Sequence, residues 1–199
     1  MKEIFTKIYN DNIWGSKETA SGTGSELNAT IPLRLRLPIL FKKYNIRTIL
    51  DVGCGDCNWI SKTIYDFDYY LGIDIVDEII AKNNKLYKSD KVEFKQGNVC
   101  DINFDKFDVV IIADVLAHLS FSDILRALEK IKKVKYVFIT NYPTFAANFD
   151  IETGSWRPVN FLIEPFNFKK PIETIDYNDL YDIKLRQCND KTLSLWNGI

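Results

Sequence analysis

The chain has little of several things that would announce a function. Of its 199 residues one is histidine, one is methionine and four are cysteine (54, 57, 100 and 188). Four thiols fall short of the density of a disulfide-stapled secreted domain, and a reducing, cytoplasmic setting is expected. A single histidine leaves little for a zinc centre. Cys54 and Cys57 form one C-x-x-C without a second, so no metal is expected and small residues in a crowded turn are the plainer reading. No uninterrupted apolar run approaches a membrane span, and the N-terminal MKEIFTKIYNDN carries acids and amides where a signal peptide would be apolar. Charge of one sign is also missing. Twenty-six basic against 27 acidic residues leave a formal net charge of −1, with no general pull on nucleic acid or an anionic membrane. The lysines at 82, 85, 88, 91 and 95 are interleaved with Glu78, Asp90 and Glu93, and read as a solvated face rather than a nucleic-acid stripe.

What is present is 46% apolar and 27% charged residues, the composition of an ordinary globular domain long enough for a substantial core. An amphipathic helix is expected over residues 1–10. Residues 11–30, rich in Gly, Ser, Thr and Asn, read as a long loop, and a second helix over about 28–44 is threatened by Pro38. From there the order alternates. Strands are expected at Thr48–Val52, Tyr69–Ile75, Val92–Gln96, Asp108–Ala113 and Tyr136–Thr140. Helices are expected at Cys57–Tyr65, Asp77–Lys88 with Asp77 as N-cap, and Ser122–Lys132 opened by Ser120 or Ser122. This predicts an α/β fold: a doubly wound, Rossmann-like sheet, mostly parallel, with helices on both faces. Residues 142–171 hold four of the six prolines and show no periodicity. Two strand-like runs near Ile172–Tyr177 and Thr192–Trp196 suggest an antiparallel C-terminal edge hairpin. One domain spanning 1–199 is expected: helices and a lid over 1–45, a cofactor-binding core over 46–141, and an acceptor-side insert with the last strands over 142–199.

The densest chemical signal is LDVGCGDCNW, residues 50–59. An apolar strand ends in Asp51, Gly53 and Gly55 follow, and a second acid, Asp74, ends the next strand in GIDI. Alternate glycines in such a turn admit close approach of a ligand to the backbone, and the glycine pair with an acid at the tip of the second strand reads as a site for a nucleoside. A nicotinamide dinucleotide site would want a third glycine where Asn58 stands. The Tyr-x-x-x-Lys string at Tyr87 and Lys91 falls away from where a nicotinamide would lie. An oxidoreductase and a non-catalytic nucleoside-binding domain nevertheless stay open as rivals at this point.

The pieces DVGCG, GIDI, GNVCD and DVLAHL resemble class I S-adenosylmethionine-dependent methyltransferases. YNDNIWGSKETASGTGS, LPILFKKYNIRTILDVGCGDCNW, ADVLAHLS, NFDIETGSWRPVNF and PFNFKKP resemble one small bacterial group among them. Ala113 departs from that group, which often has arginine there. The resemblance implies S-adenosylmethionine as cofactor, with Asp51, Gly53 and Gly55 under its methionine part, Asp74 and Ile75 at the ribose, Asn98 and Val99 at the adenine, and Asp114 and Val115 toward the sulfonium. Trp14 would close over the site from the lid, and Arg34 (Arg36 is its rival) would meet the methionine carboxylate. His118 is the first candidate for a general base and Asp114 the second; the bland reading of His118 is packing at a helix start. Ser21, Ser25, Asn141, Tyr142, Trp156, Arg157 and Asn160 are candidates for the acceptor side, with Arg157 as an anion clamp and Trp156 as a stacking surface, against a plain structural loop. A small-molecule acceptor, of sugar, nucleotide-sugar or surface-polysaccharide type by resemblance, is the expected partner. Neither nucleic acid nor membrane is expected, and a homodimer is left open.

Overall fold

Strands buried on both faces tend to near-continuous apolar runs, and this is how most of the central segments read. In the computed structural model, which describes residues 1–63, 65–102, 106–178 and 190–199, β1 (Thr48–Val52), β2 (Tyr69–Asp74), β3 (Val92–Gln96), β4 (Val109–Ile112) and β5 (Tyr136–Asn141) run parallel to one another. β6 (Glu173–Asp176) and β7 (Thr192–Asn197) complete a seven-stranded sheet of order β3-β2-β1-β4-β5-β7-β6. The expected antiparallel hairpin is there, with its second strand inside: β7 lies antiparallel between β5 and β6. The order reverses between β1 and β4, and in open α/β sheets a ligand crevice opens outside the carboxyl ends of the strands at such a switch point.

Successive residues of each strand feed opposite cores. Leu50, Val110, Ile112, Val137 and Ile139 pack under α4 (Phe121–Ile131), whose Ile124, Ala127, Leu128 and Ile131 face the sheet. Ile49, Val109, Ile111 and Phe138 pack on the other face, against Leu33, Leu37, Leu40 and Phe41 of α2 (Ile31–Lys43) and Ile80 of α3 (Asp77–Tyr87). The helix α1 (Lys2–Asn10) precedes the long loop. No helix among the described residues is long and apolar enough to cross a membrane.

Several local expectations are corrected. Among the described residues of the Cys57–Tyr65 segment there is no α-helix. Residues 54–59 form turns with Cys57 at φ +57°, followed by a single 3-10 turn at Ile60–Lys62. Tertiary hydrogen bonds from Asp56 and Asn58 to the early loop hold this segment open. α2 continues through Pro38; the lost N–H is outweighed by Leu37, Leu40 and Phe41, all nearly inaccessible. The N-cap of α3 is Val76, whose N–H donates to Asp74 Oδ1 at 3.0 Å, so Asp77 sits inside the first turn. Ser120 does cap α4, accepting from the Asp123 N–H at 3.3 Å. Cys188, and most of the 178–191 connection, lie outside the described residues.

Candidate functional site

The turn after β1 is tied to the end of β2. The N–H groups of Gly53 and Cys54 both donate to the Ile73 carbonyl, at 2.7 and 3.0 Å. Gly53 (φ +72°) and Gly55 (φ +53°) occupy the left-handed region. What a side chain would strike there is the protein itself. A Cβ on Gly53 would lie 2.2 Å from Val115 Cγ2, and one on Gly55 would lie 1.9 Å from Ser21 Oγ. The glycines admit the β4 loop on one side and the early loop on the other.

Asp74, at the tip of β2, accepts from the Gly55 N–H through Oδ2 and the Val76 N–H through Oδ1, both at 3.0 Å. Burial pushes its carboxyl upward, while these backbone donors favour the charged form. The carboxylate is therefore aimed and still has lone pairs to offer. It lines a cavity of about 830 Å³, mouth included. The same cavity is walled by Gly53, Gly55, Ile75, Asn98, Val99, Asp114, Val115, His118, and Trp14, Ser21 and Ser25 of the early loop. That is most of the expected cofactor set brought together at the switch point.

The early loop is tied to the turn after β1, chiefly through Asp56. Asp56 accepts from Thr19 Oγ1 at 2.7 Å, the Ala20 N–H at 2.8 Å and Ser21 Oγ at 3.2 Å. Asn58 Nδ2 donates to the Ser25 carbonyl at 3.1 Å. Trp14 lies with its ring centroid 5.2 Å from that of His118. Met1, Phe5 and Tyr9 of α1 also line the cavity. Nothing in the sequence reading assigned them; the amphipathic pattern of α1 was visible, but not what its apolar side would cover.

His118 follows β4 in a 3-10 turn, Leu116–His118. Its Nδ1 stands 2.9 Å from the Ser155 carbonyl. A carbonyl only accepts, so Nδ1 carries the proton and Nε2 keeps the lone pair in the neutral ring. Burial holds the imidazole below its ordinary pKa. Asp114 is a non-glycine residue at φ +59°, its N–H donating to Thr140 Oγ1 at 2.8 Å. Its carboxylate is ion-paired with Lys191, a residue missing from the expectations because it lies 77 positions away.

Other expected residues stand elsewhere. Asp51 points into the α2-side core, where Tyr70 OH donates to its Oδ2 at 2.6 Å; burial lifts its carboxyl to about 7. Arg34 donates to the Leu27 carbonyl at 2.8 Å and is not in the cavity wall. Asn141 and Asn160 are buried and structural: Asn141 Oδ1 accepts from the Phe161 N–H at 2.8 Å, and Asn160 Nδ2 donates to the carbonyls of Pro143 and Phe145. Arg157 is wholly buried. Its guanidinium donates to the carbonyls of Phe149, Leu116, Ala117 and Leu119 at 2.7–3.1 Å, so it secures the turn that carries His118 instead of clamping an anion. Tyr142 and Trp156 meet edge-on, centroids 6.1 Å apart, outside the cavity wall; Trp156 is 56% exposed. No group of three or more metal-ligating side chains occurs among the described residues.

Against known proteins, residues 49–135 match the family model described as a methyltransferase domain. No curated protein matches the chain. Among solved structures, the N-methyltransferase NodS from Bradyrhizobium japonicum WM9, in complex with S-adenosyl-L-homocysteine, is similar at a TM-score of 0.56 and 11% identity, covering 69% of this chain and 73% of that one. A DhpI complex with the same by-product gives 0.54 at 18% identity, over 80% and 77%. The methyltransferase domain of bacterial CtHen1 gives 0.51 at 16% identity, over 58% and 68%. At these identities the likeness is one of fold.

Proposed function

We propose that the chain is an S-adenosylmethionine-dependent methyltransferase that methylates a hydroxyl of a small polar acceptor, of the sugar or sugar-precursor type. The observation that carries this reading is the single cavity in which the glycine turn, Asp74, Asn98–Val99 and Asp114–Val115 converge with His118. The donor set fits an adenosine that bears an amino acid: a carboxylate for a ribose diol, buried Val99 with Ile75 and Ile79 for an adenine, and a polar turn beyond. When bound, that cofactor supplies an already activated methyl group. The chain's own residues do the rest. Asp74 holds the pentose, the lid and α1 exclude water, and His118 Nε2 stands ready to take the acceptor's proton. The acceptor class rests on the resemblance of the lid and insert strings. The nicotinamide alternative loses ground on structure. Among the described residues between Gly55 and β2, turns and one 3-10 turn stand where a dinucleotide site would place a helix N-terminus against the pyrophosphate.

Calorimetric titration of the protein with S-adenosylhomocysteine and, in parallel, with NADH and NADPH tests this. Binding of the first alone is expected, weakened about 100-fold or more in Asp74→Ala, as the loss of two hydrogen bonds to a charged acceptor implies. Dinucleotide binding without S-adenosylhomocysteine binding overturns the proposal.

A further inference from the structure

A buried lysine is uncommon and needs a reason. Lys191, at the entrance of β7, is 7% exposed. Its ammonium is paired with Asp114, and it lies 4.1 Å from the centroid of the Tyr177 ring. The ceiling above the pair is Gly24 of the lid, where a Cβ would sit 3.1 Å from Lys191 Nζ and 3.3 Å from Asp114 Oδ2. The lid thus covers the pair at the sulfonium end of the proposed site, leaving the Lys191 side chain 9% and the Asp114 side chain 26% exposed, and Lys191 falls outside the 49–135 segment that matches the family model.

We propose that Lys191 is a positioning residue of the transfer site: its ammonium holds the Asp114 carboxylate in its left-handed backbone setting and cancels that carboxylate's charge toward His118. The inference rests on the methyl-transfer reading and adds to it an account of how the base is kept neutral. An uncompensated carboxylate on the same cavity wall would favour the imidazolium, which has no lone pair with which to take a proton. Among the other groups around the ring, the Arg157 cation also disfavours the imidazolium, but it is not bonded to Asp114. The insert contributes the Arg157 guanidinium, which is spent on four carbonyls, and the Ser155 carbonyl. In the α4 entrance, Asp123 accepts from Thr153 Oγ1 at 2.6 Å, and Asp150 accepts from the Phe121 N–H at 2.6 Å. The lid contributes the Trp14 ring, which is uncharged. The electrostatic neighbours of His118 named by the structure are Asp114, Lys191 and Arg157, and Lys191 alone among the cations is bonded to the carboxylate.

Because the chain has one histidine, its titration can be read directly from the imidazole proton resonances of the full chain, with no acceptor needed. In Lys191→Met the His118 pKa is expected to rise by about one pH unit, the size of one uncompensated charge at close range. In Lys191→Arg it is expected to stay near the wild-type value. The double variant Lys191→Met/Asp114→Asn removes both charges, avoids a buried unpaired carboxylate that could unfold the single variant, and is expected to titrate like wild type. An unchanged pKa in Lys191→Met overturns the proposal, and so does an equal rise in the double variant, which would mean rearrangement instead of charge. S-adenosylhomocysteine titration of the same samples separates this from the functional reading. Normal charge coupling in a protein that does not bind the by-product sinks the methyltransferase reading and leaves the Lys191–Asp114–His118 relation standing.

Discussion

A single side chain is where this site is most exposed to test. His118 has its tautomer fixed by the Ser155 carbonyl, its ring covered by Trp14, and its pKa lowered by burial. Burial and the Ser155 carbonyl together favour the neutral ring with Nε2 as its free acceptor. Replacing it by glutamine removes the base while leaving a polar side chain of similar reach. Turnover of a hydroxyl acceptor is expected to fall 10²- to 10⁴-fold, with S-adenosylhomocysteine affinity nearly unchanged; undiminished turnover across neutral pH takes His118 out of the mechanism. Asp51 makes the opposite case, an acid at a motif position that serves the fold. Its carboxyl titrates near 7 in the folded chain because burial disfavours the anion, against an ordinary value near 3.8. The folded state therefore holds more protons than the unfolded state between those values, so this group lowers stability as pH rises through about 4 to 7. Asp51→Asn keeps an acceptor for Tyr70 OH and removes the charge. Denaturant melts at pH 8 are expected to show it more stable than wild type by on the order of 2–4 kcal/mol, with the gap closing toward pH 4. A gap that does not change with pH would mean that Asp51 is ionised at no cost where it sits.

At the scale of elements, what was legible and what was not divides along a physical line. β1, β4 and β5 were visible because strands covered on both faces read as near-continuous apolar runs, and α4 because one face only is buried and Ser120 caps it. The Cys57–Tyr65 segment looked helical by composition, yet Asp56 and Asn58 spend their polar groups on a lid more than thirty positions earlier. Local pattern does not record a partner that distant. The 142–171 insert was unreadable for a related reason. Asn148 donates to the carbonyls of Asn160 and Glu164, Asn160 to those of Pro143 and Phe145, and Arg157 to four more, so side-chain-to-backbone bonds replace any periodic apolar face. Arg157 and Asn160 looked like ligand-binding residues because the same chemistry that grips a ligand grips a backbone. The lid makes the same point in reverse and yields a prediction. Asp56→Ala removes three acceptor contacts to Thr19, Ala20 and Ser21, bonds to a charged group worth more than neutral ones. Amide exchange over residues 18–25 is expected to quicken at least about tenfold, and bound S-adenosylhomocysteine to dissociate faster, with the sheet's exchange unchanged. Unaltered exchange in that stretch would show that the latch lies elsewhere.

For the molecule as a whole, the cavity is built from parts that do not otherwise belong together. Met1, Phe5 and Tyr9 come from α1, Trp14, Ser21 and Ser25 from the lid, and the remainder from the carboxyl ends of β1 to β4 and the turns after them. A ligand seated there bridges the N-terminal segment to the sheet, and unfolding must release it. Binding to the native state alone stabilises by about 2.7 kcal/mol when the free ligand stands at 100 times its Kd. A domain of this size shifts its Tm by roughly 2–4 °C per kcal/mol. S-adenosylhomocysteine at that excess is therefore expected to raise Tm by roughly 5–11 °C. Asp74→Ala is expected to lose most of the rise at the same concentration, and NADH to produce none in either protein. Because the ligand spans the lid and the sheet, protection should also reach both: exchange over 1–25 should slow along with exchange over 50–56. A Tm rise accompanied by slowing in the sheet alone would place the ligand in the glycine turn and leave α1 and the lid without the covering role that the geometry gives them.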